Sequence, residues 1–322
     1  GNFVQRHAEA VAMKHEVEIL HTIGDFHQKE TFIFDDKVIN GIRTLVIYYK
    51  NSKNPIQNFI RRMKAYKMGF AKMQKPDLVH ANVLHNNMLF AVYLKKKFKI
   101  PFVVTEHWTA LRKINQDSTS GSVKKIAKFI GNQSSMILPV SNDLKISLAK
   151  LGITTPMQVI PNVVDTQLFE PINSTHNDFT FVHISNLIPR KNADKILNVA
   201  IKLLKEGYQL KLKIGGDGET NTLREVVKKE RFENQIEVFD TLTLPEVSEK
   251  LKTSDCFILF SNDENQPCVI AESFASGIKV ISTNVGGISE FFPNDFGILV
   301  DEPNEILLEI AMKKLLNEKE IT

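Results

Sequence analysis

Ser261-Asn262-Asp263-Glu264-Asn265-Gln266-Pro267-Cys268-Val269-Ile270-Ala271-Glu272 joins two apolar patterns of different kind. Ahead of it, Cys256-Phe257-Ile258-Leu259-Phe260 is a short, unbroken apolar run, the signature of a strand buried on both faces. Behind it, residues 269–275 have the length and composition of a buried helix. The stretch is therefore the loop of a strand–loop–helix unit, with Glu264 just past the strand end and Glu272 about a turn into the helix, facing the same loop. Carboxylates so placed can accept hydrogen bonds from hydroxyls spaced along an extended polyol, and burying them is costly unless they are paired or hydrogen-bonded. Two ordinary surface glutamates are the alternative reading.

Outward from this unit the same alternation runs to both ends. Strands are expected at 179–184, 210–214, 236–239, 256–260, 279–282 and 298–300, with helices near 193–206, 223–229, 245–253 and 269–275. In the first half the strand candidates are 17–20, 45–49, 78–80, 102–105, 136–140 and 158–160, and Phe59, Met63, Tyr66, Phe70 and Met73 mark one face of a helix. Alternating strands and helices imply an α/β protein with parallel sheets. The polar, turn-rich segment 171–178 divides the chain into domains 1–170 and 171–322, each doubly wound, and two such domains form a cleft at the carboxyl ends of their strands. The chain opens on a helical segment, 4–14, where such a domain begins with a strand, so a missing first strand is expected; Thr322 falls short of the helices expected to close the fold.

Two further strand-to-helix turns carry candidate chemistry. In Ser185-Asn186-Leu187-Ile188-Pro189-Arg190-Lys191-Asn192 two cations stand beside the free N–H groups of a helix start, a setting for a diphosphate, although an exposed basic turn reads the same way. In Ile214-Gly215-Gly216-Asp217-Gly218-Glu219 the glycines let a ligand approach the backbone, as an ordinary tight turn also would.

Together with Gly277-Ile278-Lys279-Val280-Ile281, Val285-Gly286-Gly287-Ile288-Ser289-Glu290, the segment 159–169 and Pro76-Asp77-Leu78-Val79-His80, the order of these motifs resembles the group 1 glycosyltransferases, retaining enzymes of the GT-B fold. The resemblance implies that Lys191 contacts a donor diphosphate, Glu264 the donor sugar and Glu272 the ribose. Asn265, Gln266, Pro267 and Cys268 would offer backbone amides to sugar and phosphate. Arg190 and Gly216 join the donor-binding set, His107 would lie near the transferred sugar, and Gly1 and Asn2 match a loop that approaches phosphate and acceptor. Many members carry arginine where this chain has Asn186, so one phosphate contact is missing or falls to Arg190.

Composition narrows the function. The net charge of +4 and the absence of a recognition motif exclude nucleic acid as the expected partner. Basic residues cluster at 61–67 and 95–99, which suits solvated helix faces or contact with an anionic lipid surface. Two cysteines in apolar settings fit a reducing compartment, so a cytoplasmic protein, peripheral at the inner membrane face, is expected. The expected reaction is hexose transfer from a UDP- or GDP-sugar to a hydroxyl acceptor such as a glycan, a lipid-linked sugar or a small molecule. No cofactor and no metal are expected, since no Asp-x-Asp pair stands near the donor motifs. A GT-B epimerase and a catalytically silent sugar-nucleotide binder remain as alternatives.

Overall fold

The computed structural model describes residues 2–172 and 178–320. The chain forms two compact units, residues 1–163 and 164–322. The division falls ahead of the expected one at 170, because Phe169 is fully buried in the core of the second unit, where Val164 and Leu168 also pack.

In the first unit the order is α1 (Asn2–Ala12), β1 (Glu18–Asp25), β2 (Phe32–Ile39), β3 (Ile42–Lys50), α2 (Pro55–Phe70), β4 (Val79–Asn82), α3 (Leu89–Phe98), β5 (Phe102–Glu106), α4 (Gly121–Gln133), β6 (Met136–Pro139) and α5 (Asn142–Lys150). The single doubly wound sheet expected here is, among the described residues, two three-stranded sheets, β1-β3-β2 and β4-β5-β6. β1 and β4 each pair on one side only, while Leu20 of β1 and Val79 of β4 pack on the same cluster of Tyr66, Phe90 and Leu94. β2 was not among the expected strands. It pairs antiparallel with β3 through Asn40-Gly41, both at positive φ (49° and 79°), the dipeptide that makes a tight hairpin without steric cost.

The strand expected at 158–160 does not form. Met157 bridges Ile137, and Ile160 N–H reaches Pro139 O at 3.0 Å, but Pro139 has no N–H to return and the ladder stops.

In the second unit β7 (Phe179–Ser185), α6 (Ala193–Lys205), β8 (Leu210–Gly216), α7 (Asn221–Glu230), β9 (Ile236–Phe239), α8 (Leu244–Lys252), β10 (Cys256–Leu259), α9 (Cys268–Ala275), β11 (Lys279–Thr283) and β12 (Gly297–Val300) follow the expected alternation. α10 (Glu305–Glu320) was not anticipated; Leu308, Ala311, Met312, Leu315 and Leu316 turn its one apolar stripe into the core shared with α6. All six strands are parallel, in the order β12-β11-β10-β7-β8-β9. β10 is apolar and buried throughout, and β7 is buried from Phe179 to His183, as strands covered on both faces must be.

Candidate donor site

The strand order of the second unit fixes where a ligand can sit. The chain runs from β7 to β8 and β9 on one side, then returns to β10 on the other. Loops leaving two parallel strands at such a reversal diverge and leave a crevice at their carboxyl ends. The loops in question are 186–192 after β7 and 260–267 after β10, and these hold the residues singled out above.

Lys191 donates through its ammonium to Glu264 Oε1, and the two side chains are only 12% and 7% exposed. An ion pair this dry keeps two charges at one point of the crevice. Beside it Arg190 Nη1 lies 3.9 Å from Asp263 Oδ2, and Arg190 Nε is buried without a hydrogen-bond partner. The loops are stitched together around this pair: Asn262 N–H donates to Arg190 O at 2.8 Å, and Asn192 Nδ2 donates to Phe260 O at 2.8 Å and Asn262 Oδ1 at 2.7 Å. Asn192 can do this because it sits at φ 50°, which asparagine tolerates. Asn265 is buried and its carbonyl accepts from Gly287 N–H at 3.1 Å, so the Val285–Glu290 motif braces the loop that carries Glu264.

Glu272 is 5% exposed on α9, whose first residue is Cys268; Gln266 and Pro267 lead into it, half-buried. Gly216 ends β8 at φ 136°, where a Cβ would come within 1.9 Å of Ser185 O. Any side chain there would force the glycine turn away from the Ser185 loop. Lys191, Arg190, Glu264 and Asn265 are thus brought together, with Gly216 packed on the strand that leads to them.

Sequence reasoning missed His183, the one imidazole in an otherwise apolar strand run. It is fully buried; its Nδ1 lies 2.8 Å from Ile258 O and its Nε2 2.9 Å from Ser185 Oγ, which in turn accepts from Leu187 N–H at 3.1 Å. For the neutral ring one arrangement of protons satisfies all three links: Nδ1–H donates to the carbonyl, and the serine hydroxyl donates to Nε2. Burial, and less strongly the nearby Lys191 ammonium, push the His183 pKa down to about 4, so the neutral ring is kept. This chain of bonds anchors the turn in which Leu187 is held at φ 47°, between β7 and Arg190-Lys191.

His107 belongs to the first unit, at the end of β5. Its ring lies against Phe3 with centroids 3.8 Å apart, its Nε2 has no hydrogen-bond partner, and burial, then the charge of His7, lower its pKa to about 4. The neighbouring Glu106 was also missed. It is fully buried, its Oε2 accepts from Leu84 N–H at 2.6 Å and its Oε1 from Trp108 N–H at 2.7 Å, tying the turn after β4 to the turn after β5. Burial raises its pKa to about 7 against the opposing pull of those amides. Gly1 lies outside the described residues, as does the side chain of Asn2.

Comparison with known proteins gives the family and the fold. The family profile "Glycosyltransferase Family 4" matches residues 1–168, and "Glycosyl transferases group 1" matches residues 164–322. A phosphatidylinositol N-acetylglucosaminyltransferase chain of Homo sapiens is 30% identical over 165 residues, covering 51% of this chain and 34% of that protein. The N-acetyl-alpha-D-glucosaminyl L-malate synthase of Bacillus anthracis is 26% identical over 266 residues, 78% of this chain and 68% of the relative. The chain spans about a third of the length of the human transferase and of its Arabidopsis thaliana counterpart, 34% and 35%. Among solved structures, the sucrose-phosphate synthase of Thermosynechococcus elongatus superposes with a TM-score of 0.78 at 16% identity, over 97% of this chain and 82% of that one. Anabaena HepE, solved with UDP and glucose, gives 0.71 at 16% identity, over 87% and 78%. Both neighbours share the two-domain GT-B fold.

Proposed function

The chain belongs to the group 1 glycosyltransferases, and on that premise we propose that it moves a hexose-type sugar from a UDP- or GDP-linked donor to a hydroxyl acceptor with retention at the anomeric carbon. The observation that carries the reading is the Lys191–Glu264 pair in the crevice between β7 and β10. A diphosphate entering there meets the Lys191 ammonium, the Arg190 guanidinium and the amides of the Asn265–Cys268 loop. Glu264 is then released to accept from sugar hydroxyls, and Glu272 from the ribose. When the sugar–phosphate bond breaks, the diphosphate gains charge, which the fixed cations stabilise; the acceptor oxygen forms the new bond to the anomeric carbon and its proton leaves with the nucleotide diphosphate. Because two cations already face the diphosphate, the reaction needs no divalent metal.

The names of the relatives, N-acetylglucosaminyltransferase and N-acetylglucosaminyl L-malate synthase, support trying N-acetylglucosamine first. We place the protein in the cytoplasm, peripheral at a membrane. Proton NMR of the product from UDP- or GDP-sugars and a hydroxyl acceptor, with and without a chelator, tests the reading. The expected product keeps the donor's anomeric configuration and forms at an unchanged rate in chelator. Inverted product, an isomerised donor in the absence of acceptor, or activity abolished by chelator and restored by manganese would overturn it.

A further inference from the structure

The charge of this protein is segregated. Between Val38 and Thr105 the sequence holds thirteen Lys and Arg against one acidic residue, Asp77, while the rest holds 28 basic against 36 acidic. A modest net charge therefore conceals a strongly cationic block, and the fold places much of it on one surface of the first unit. Along α2 the residues Ile56, Ile60, Lys64 and Lys67 are exposed at intervals of four, four and three, which is a single stripe. Ile56 and Ile60 are 71% and 60% exposed.

Aromatic rings join this stripe to its neighbours. Lys67 and Lys97 of α3 lie over the same Tyr93 ring, at 4.7 and 5.6 Å; Lys64 lies 5.6 Å over Phe32 of β2, and Lys96 lies 5.6 Å over Phe129 of α4. The cations thus form one continuous patch from β2 across α2 and α3 to α4. Among the described residues Arg43 alone of this block pairs with carboxylates, those of Glu18 and Asp36. The remaining ammonium groups keep their charge for something outside the chain.

We propose that this face lies on a bilayer of anionic phospholipid, with the lysines among the headgroups and Ile56 and Ile60 entering the boundary of the acyl region. A polyanion such as nucleic acid would satisfy the cations but gain nothing from two exposed isoleucines at one end of the stripe, whereas a lipid surface takes both. The proposal gives a position to the peripheral membrane contact of the proposed function, and its test reads binding rather than activity, so either can fail without the other.

Vesicle flotation of the whole chain, with phosphatidylglycerol mixed into phosphatidylcholine or with phosphatidylcholine alone, makes the measurement. Binding is expected on the anionic vesicles only, falling as salt rises. Lys64→Ala/Lys67→Ala is expected to weaken it about 30-fold, at roughly fivefold per lysine, with Lys96→Ala/Lys97→Ala, on a separate helix, weakening it similarly. Ile56→Ser/Ile60→Ser is expected to lose the fraction of binding that survives high salt. Equal binding to neutral vesicles, no binding to either, lysine variants that bind like the parent, or isoleucine variants that do so while duplex DNA binds as tightly as vesicles would overturn the proposal.

Discussion

Lys191 and Glu264 stand 73 residues apart in sequence and touch in the crevice, both nearly buried. Each was legible alone, as a cation at a helix start and a carboxylate past a strand end; their contact was not, because it depends on β7 and β10 becoming neighbours. A buried charge deprived of its partner is costlier than the pair removed together. Lys191→Met is therefore expected to destabilise the protein by about 3 kcal/mol in urea denaturation, and Lys191→Met/Glu264→Leu to recover most of that loss without recovering transfer activity. A double variant no more stable than the single one would show that the pair is not the electrostatic unit described here. His183 and Asn192 escaped the sequence reading for a related reason. A histidine in an apolar strand run and an asparagine after a lysine announce nothing until Ile258, Phe260 and Asn262 come within reach.

The elements were most legible where periodicity is strong and both faces are buried. The strands of the second unit lie within a residue or two of their expected bounds, and β10, covered on both sides, leaves the unbroken apolar run that marks such a strand. β2 failed that test: Asp35, Asp36 and Lys37 interrupt it at the edge of its sheet, although Asn40-Gly41 signals the hairpin. At 158–160 the apolar spacing was right, and a proline in the neighbouring strand decided the outcome. Between elements, Glu106 joins the turn after β4 to the turn after β5. Glu106→Ala would strand two buried amides, those of Leu84 and Trp108, and is expected to cost about 2–4 kcal/mol in chemical denaturation, while Glu106→Gln, which fills the same volume but keeps only one of the two acceptor oxygens, is expected to cost part of that. A Glu106→Gln variant as stable as the parent would point to packing rather than hydrogen bonding as what Glu106 supplies.

For the molecule as a whole, two α/β units in tandem were readable from the alternation of patterns. The point where one ends was not, since Phe169 looks like part of a linker until it is seen buried in the second core. The candidate motifs could be picked out because each begins directly after a strand, where a parallel sheet opens its crevice. On the proposed function one nucleotide sugar spans this site, with Glu272 on the nucleotide and Glu264 on the sugar. Titration calorimetry of the parent chain, Glu272→Ala and Glu264→Ala with a nucleotide diphosphate and with the matching nucleotide sugar tests it most directly. Glu272→Ala is expected to weaken both ligands, whereas Glu264→Ala is expected to spare the nucleotide diphosphate and weaken the nucleotide sugar; equal losses of both ligands in both variants would rule this assignment out.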